Sequence, residues 1–343
     1  MTPFTFEFHS TPSSKETLQS KLILESPNLN QETSTRIGKI LIEKKEIEIT
    51  LYSNSATQRF MYLRDTLLTP TLAQLTGMTK TAKSIKLPGQ LILGGERSQC
   101  LNEAMTGIFG TIEMKNLINT FEQTEIALLP ILREGVKYNL AEALFSNHSF
   151  YSDEVVVDAH HVSDSSVDGY GRRVDITMFK DVDMTEDERK KIKLVIVGDS
   201  IAGGVVIIGM LKKLQERFPN LERVEVIAPL TTLFGASRIA MNIPEGLIVR
   251  IHMFETILNA QPPDFYWSPH YSDLNFHINP QLETEYREWW GQDQKGKWIA
   301  DTACAGYGWS EAFFHPQKFI RMMNVELKTR HHLEIKDIIQ HQN

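Results

Sequence analysis

The stretch that most limits what this chain can fold into is residues 193–218, KLVIVGDSIAGGVVIIGMLKKLQERF. Leu194, Val195, Ile196 and Val197 form a short aliphatic run that stops at Gly198-Asp199, the pattern of a buried parallel strand ending in a loop. Beyond the pair Gly203-Gly204, apolar residues fall at Ile207, Leu211, Leu214 and Phe218, while Lys212, Lys213, Gln215, Glu216 and Arg217 face away, which is helical spacing. Strand, acidic turn, glycines and helix in this order gather backbone N–H groups and a helix N-terminus around one point, a geometry that holds phosphate. The plainer alternative is a strand–turn–helix unit of an α/β domain that binds nothing.

Residues 125–145, EIALLPILREGVKYNLAEALF, repeat the logic. A buried strand from Ile126 to Ile131 ends in Leu132-Arg133-Glu134-Gly135, and a helix with Val136, Leu140, Ala143 and Leu144 on one face follows. Further strands are expected at residues 154–162, 224–229 and 247–253, with a helix over residues 234–241. Five strands alternating with helices imply a parallel sheet whose ligand crevice lies at the strands' carboxyl ends, where both loops sit.

The two loops together resemble those of type I phosphoribosyltransferases, closest to the uracil branch. Pro130-Ile131-Leu132-Arg133-x-Gly135 is similar to that family's Pro-Ile-Leu-Arg-Ala-Gly pyrophosphate loop, and Gly198-Asp199-Ser200-Ile201-Ala202-Gly203-Gly204-Val205-Val206 resembles its phosphoribosyl-pyrophosphate (PRPP) loop. The resemblance implies that Arg133 faces pyrophosphate and that Gly135 lets the backbone approach it. It also implies that Asp199 holds the ribose, and that Ser200, Ile201, Ala202, Gly203 and Gly204 cradle the 5′-phosphate. Leu132 and Glu134 complete the first loop.

Two departures matter. The cradle threonine has become Gly203 and the closing hydroxyl residue Val206, which removes hydroxyl donors to phosphate contributing about 1.5–3 kcal/mol each where charge-assisted. Glu134 replaces a small residue and puts a negative charge beside a polyanion unless a metal or Lys137 compensates.

Other elements follow from the same resemblance. A loop over residues 164–190 matches a mobile segment that closes over the reacting centre, making Arg172 and Arg173 candidate phosphate contacts; a solvated turn is the alternative. Tyr62-Leu63-Arg64-Asp65, within a helical pattern over residues 58–79, matches a helical arm that packs on a partner subunit, so a homodimer is expected. Lys297-Trp298-Ile299 and Gly306-Tyr307-Gly308 match the segments that grip the base, giving Trp298, Ile299, Gly306 and Tyr307 as candidates. Residues from 262 onward hold all five tryptophans, as a base-stacking pocket or as a satellite core.

The remaining patterns are read from residues alone. Residues 1–35 are expected to be a flexible or edge-attached arm, and residues 36–53 a β-hairpin. His160-His161 read as structural histidines, since neighbours on a strand face opposite ways. Residues 291–297 have the spacing of a nucleotide-binding P-loop, but Trp298 replaces the hydroxyl residue and no strand precedes them, so they read as a surface turn. His331-His332 lie in a polar terminal helix without acidic or Cys partners at ligand spacing.

Composition excludes several classes. At 343 residues, 41% hydrophobic and 23% charged, the chain is that of a globular protein with room for one large domain or two. A formal charge of −7 argues against nucleic acid as a partner, and Cys100 and Cys304 alone make no disulfide framework, so a reducing cytoplasm is expected. No apolar run is long enough for a membrane span. The expected organisation is an arm over 1–35, a hairpin and helices over 36–122, a phosphoribosyltransferase-like core over 123–261 and an aromatic-rich extension over 262–343. The expected activity joins a nitrogenous base to the phosphoribosyl group of PRPP with release of pyrophosphate, Mg²⁺ being held mainly by substrate oxygens. The alternatives are an inactive, nucleotide-sensing protein of the same fold, or an enzyme for a different sugar phosphate.

Overall fold

The buried aliphatic runs assemble into one nine-stranded sheet. The computed structural model describes residues 4–9, 17–29, 32–66, 73, 85–163, 172–178, 184–258, 276–300 and 309–340. Two compact units emerge, Met1–Asn54 with Asn102–Phe276, and Ser55–Leu101 with His277–Asn343.

The first unit contains the sheet, whose strands, numbered in chain order, are β1 (Phe4–His9), β2 (Thr17–Leu24), β3 (Ser34–Ile42), β4 (Lys45–Ser53), β5 (Ile126–Pro130), β6 (Asp153–Glu154), β7 (Leu194–Gly198), β8 (Arg223–Ile227) and β9 (Ile248–Phe254). Their spatial order is β1-β2-β3-β4-β9-β8-β7-β5-β6. From β4 to β6 every neighbouring pair is parallel, while β1 to β4 form an antiparallel meander on one side. The α/β class with a parallel sheet flanked by helices is as expected. Of the N-terminal segment, β1 and β2 attach at one edge of the sheet, and the β3–β4 hairpin joins the core through β4, whose Leu51 pairs with Met253 of β9.

Every residue of β5 and of β7 is buried, as a strand covered on both faces requires. Helix Val205–Arg217 buries Ile207, Met210, Leu211 and Leu214, and helix Leu233–Met241 buries Phe234, Ala236, Ile239 and Ala240. After β5 the helix begins later than the sequence suggests. Gly135–Lys137 is a single 3₁₀ turn, Asn139 is left-handed, and the α-helix runs from Leu140 to His148, so Val136 lies in the turn. The strand expected over 154–162 is broken into β6 and a separate strand, Val157–Ser163, which pairs antiparallel with Arg172–Met178 as a two-stranded ribbon.

The sheet also buries polar side chains. Glu225 on β8 and His252 on β9 are bonded to each other, Arg223 bonds Glu225, and Tyr52 Oη of β4 lies 2.8 Å from His252 Nδ1. Hydrogen bonding along this chain satisfies groups that would be costly to bury alone.

The second unit corrects the helical arm. Helix Ser55–Met61 stops before Tyr62-Leu63-Arg64-Asp65; Leu63–Thr66 is instead a strand paired with Ile85–Pro88, with Arg64 opposite Leu87. Arg64 bonds Thr66 at 2.9 Å and pairs with Glu96 at 2.5 Å, so its side chain is engaged within the unit. The core here is Trp289, Trp290, Phe319, Leu327, Ile335 and Ile339. His331 is buried and bonds Asp293 at 2.9 Å, a partner brought by tertiary packing. Against burial, which pushes it up, hydrogen bonds from His331 and the amides of Lys297 and Lys295 hold the Asp293 carboxyl at about 2. The P-loop-like spacing at 291–297 is thus a turn organised around an internal carboxylate.

One close approach fixes the site described next. A Cβ on Gly135 would lie 2.2 Å from the carbonyl oxygen of Gly198, whereas one on Gly95 meets nothing within 4 Å. Gly135→Ala is therefore expected to destabilise the protein by about 3 kcal/mol, the scale of overpacking against backbone. Gly95→Ala, in the first turn of helix Gly94–Phe109, is expected to change stability by no more than about 0.5 kcal/mol. Urea unfolding of both variants checks this; equal effects would contradict it.

Candidate functional site

The chain leaves β5, places β6 on one side of it, then returns to lay β7 on the other. Strand order therefore reverses between β5 and β7, and in open α/β sheets the crevice beyond such a point is where ligands bind. Gly198 pairs with Pro130, so the loops that follow the two strands leave the sheet at the same level. Ile131 N donates to Gly198 O at 3.0 Å, and Gly135 packs on that same carbonyl. The two loops read from sequence are brought together where Glu134 bonds Ser200 and Gly135 packs on Gly198. The Leu132–Arg133 peptide is cis.

The second loop is held from one side. Ile201 N bonds Leu230 O at 2.9 Å, and Thr232 N bonds Ile201 O at 3.0 Å. Thr232 Oγ1 donates to Ala202 O at 2.6 Å and accepts from Gly235 N at 2.8 Å, capping helix Leu233–Met241 while it grips the loop. Arg238 Nη1 donates to Gly203 O at 2.8 Å. In a trans peptide the N–H points opposite to the preceding C=O. With the Ala202 and Gly203 carbonyls turned to Thr232 and Arg238, the Gly203 and Gly204 amides point the other way. Among the described residues no acceptor bonds the amides of Ala202, Gly203, Gly204, Val205 or Val206. Gly204 has φ of +76°, and a Cβ there would stand 2.7 Å from Gly235 O, so only glycine closes this turn.

Between the loops lies a hydrogen-bonded triangle. Glu134, buried at 7% exposure, accepts through Oε1 from Ser200 Oγ at 2.9 Å and from Tyr138 Oη at 3.0 Å, and the two hydroxyl oxygens are 3.2 Å apart. Burial, then the charge of Glu134, hold the partly exposed Asp199 carboxyl well above the usual carboxylate range. Burial, then Glu134 and Asp199, raise the Tyr138 phenol well above its ordinary value, so it remains a donor.

Arg133 is exposed at the turn. Arg173, exposed and bonded to Asp175, sits with Arg172 on the ribbon strand Arg172–Met178. That ribbon meets the first loop at its other end, where Leu132 N donates to Val157 O at 2.7 Å, and Arg172 pairs with Ser163 about 20 Å along the strand. Residues 164–171, the centre of the expected closing loop, lie outside the described residues, as do Gly306 and Tyr307. Trp298 and Ile299 belong to the second unit. Ile299 is in its core, and Trp298 carries the Arg287 guanidinium 5.0 Å from its ring centre. His160 and His161 are exposed on the ribbon, His160 bonded to Asp158, so they are surface rather than core histidines.

Sequence reasoning missed Tyr138, Thr232, Gly235 and Arg238. A Thr followed three residues later by Gly at a helix start was the available signal for the cap; nothing local announced that Arg238 reaches a loop 35 residues away.

No family model and no curated protein matches the sequence. Three solved structures resemble it weakly. A hypothetical protein from Neisseria gonorrhoeae with bound ppGpp is 16% identical, covering 47% of this chain and 84% of its own, at a TM-score of 0.30. A hypoxanthine phosphoribosyltransferase from Trypanosoma cruzi complexed with IMP is 11% identical, covering 55% and 90%, at 0.31. One from Staphylococcus aureus is 13% identical, covering 56% and 91%, at 0.31. What defines the class is the chain's own topology: an α/β protein with a largely parallel sheet flanked by helices. No described helix is long and apolar enough to cross a membrane.

The raised Asp199 carboxyl gives a pH test. A folded state that holds the proton more tightly than the unfolded chain, whose carboxyl titrates near 3.8, loses that stabilisation as pH rises above about 4. Asn mimics the protonated form. Asp199→Asn is expected to melt a few degrees above wild type at pH 7, with the gap closing as pH falls toward 4. Scanning calorimetry across that range checks this; a variant less stable at pH 7 would contradict it.

Proposed function

We propose that this chain recognises a phosphorylated ribose at the crevice between β5 and β7, as its resemblance to type I phosphoribosyltransferases implies. Gly203 and Gly204 amides and the start of helix Val205–Arg217 receive the 5′-phosphate, and Asp199 receives the ribose hydroxyls. The observation that carries this reading is the orientation of the loop, whose carbonyls are taken by Thr232 and Arg238 and whose amides face the other way. Hydroxyl donors lost at Gly203 and Val206 are thereby replaced by backbone ones, which approach an anion closely because neither glycine carries a side chain.

Phosphoribosyl transfer to a nitrogenous base is the chemistry such an arrangement supports. Arg133 at the first loop would face the departing pyrophosphate of PRPP, and Asp199 would stabilise positive charge developing on the ribose ring. Mg²⁺ is the implied cofactor. Asp199 and Glu134 offer hard oxygen donors, and among the described residues no cluster of three or more His, Cys, Asp or Glu could hold a metal, so these two fit the ion only in company with ligand oxygens. When bound it would supply charge neutralisation at the phosphates. A regulatory nucleotide-binding reading is favoured by Glu134, whose buried carboxylate stands beside the place pyrophosphate would occupy. The expected homodimer loses its helical premise at Leu63–Thr66, and the proposal is made for the single chain.

Calorimetry with ribose 5-phosphate, nucleoside monophosphates and PRPP tests the site. Binding of at least one is expected, and no binding by any at millimolar concentration would remove the reading. A pyrophosphate-release screen across pyrimidines, purines and aromatic amides with PRPP and Mg²⁺ then separates the two functions. A transferase is expected to lose about 10²–10³-fold in turnover on Asp199→Asn. Binding without release from any base leaves the regulatory reading.

A further inference from the structure

We infer that Glu134 sets the anion selectivity of the crevice, admitting the single phosphate of a ribose ester and discriminating against pyrophosphate. The inference rests on the phosphate-site reading and, of the two functions above, on the regulatory one; its ligand class is nucleoside monophosphates and related 5-phosphoribosyl esters, to the exclusion of a diphosphate donor for transfer.

Glu134 follows the exposed Arg133 in the turn after β5, and its neighbour Gly135 is packed against the Gly198 carbonyl. The carboxylate therefore sits at the junction of the two loops rather than on the outer surface, with 7% of the residue exposed. Its orientation is fixed from two elements. Ser200, on the second loop, and Tyr138, beyond the first, both donate to the same oxygen, at 2.9 and 3.0 Å. A carboxylate that accepts two hydroxyl hydrogen bonds is well solvated as an anion, and one held by a donor on the second loop and another just beyond the first cannot swing away without losing both bonds. Its charge is felt at Asp199 and Tyr138, whose proton affinities it raises, so the junction is already electronegative.

The phosphate loop is placed differently. The Gly203 and Gly204 amides lie three and four residues beyond Ser200, at the start of helix Val205–Arg217. A monophosphate seated there would be held by backbone amides and not by the Ser200 hydroxyl that donates to Glu134. Pyrophosphate on the first loop would instead share the junction with the Glu134 carboxylate. Like charges in a partly desolvated crevice repel strongly, and a polyanion carries the larger penalty. Glu134 thus has two separable effects: its hydrogen bonds tie the loops together, and its charge selects the ligand.

The two effects separate by substitution. Glu134→Gln keeps the size and an oxygen to accept from Ser200 and Tyr138, and removes the charge while turning the second oxygen into an amide donor; Glu134→Ala removes both the charge and the acceptor. Titration calorimetry in metal-free buffer would measure ribose 5-phosphate and inorganic pyrophosphate against wild type and both variants. Wild type is expected to bind ribose 5-phosphate at least about tenfold more tightly than pyrophosphate. In Glu134→Gln pyrophosphate affinity is expected to rise about tenfold while ribose 5-phosphate changes little. In Glu134→Ala ribose 5-phosphate is expected to weaken, because the loops are no longer tied. An unchanged ratio of the two affinities in Glu134→Gln would overturn the selectivity inference while leaving the phosphate site standing. Failure of wild type and Glu134→Gln alike to bind ribose 5-phosphate would remove the phosphate site, and this inference with it. Should Glu134→Gln not fold, competition on wild type decides: pyrophosphate displacing ribose 5-phosphate at equal concentration overturns the inference, and its failure to do so supports it.

Discussion

The contact on which the site depends is between two backbones. Gly135 lies against the Gly198 carbonyl because β5 and β7 are parallel neighbours in register at their carboxyl ends, and neither loop could approach the other if position 135 bore a side chain. The reversal of strand order makes these two strands adjacent although 63 residues separate Gly135 from Gly198. Everything specific to the crevice is built outward from this approach. Ser200 comes within reach of Glu134, Tyr138 closes the triangle beneath them, and Asp199 is left beside a charge that raises its proton affinity.

A second constraint acts from the opposite side. The loop after β7 carries glycine at 203 and 204 and valine at 205 and 206, yet its shape is held more firmly than its glycine content suggests. Thr232 and Arg238 take its carbonyls, and Gly204 turns into the helix with a conformation open to glycine. A flexible sequence is thereby given one orientation by the helix packed behind it. The amides are consequently organised before any ligand arrives, and preorganisation lowers the cost of binding.

What was legible in the sequence was local. The strands β5, β7, β8 and β9 and the helices after β7 and β8 follow from runs and periodicities contained within each segment, and both site loops were found because glycines and charged residues stand at strand ends. Four features escaped for one physical reason: they are decided by partners outside their own element. Leu63–Thr66 continues a helical pattern but pairs as a strand with Ile85–Pro88. His331 has no acidic neighbour in its own helix, and finds Asp293 through tertiary packing. Glu134 reads as an intruder beside a phosphate, until Ser200 and Tyr138 show that it is bonded on both sides. Glu225 and His252 belong to the same group, since a strand pattern does not distinguish a charge facing solvent from one bonded across the sheet.

The central claim is that the amides of the loop after β7 receive phosphate. Glycine-selective ¹⁵N labelling reports it directly, because Gly203 and Gly204 are two of 20 glycines in the chain and Gly291 and Gly296 flank the P-loop-like turn in the second unit. On titration with ribose 5-phosphate, the account expects the Gly203 and Gly204 resonances to move most, with those of Gly291 and Gly296 still. Shifts confined to Gly291 and Gly296, or none at Gly203 and Gly204 under saturating ligand, would contradict it.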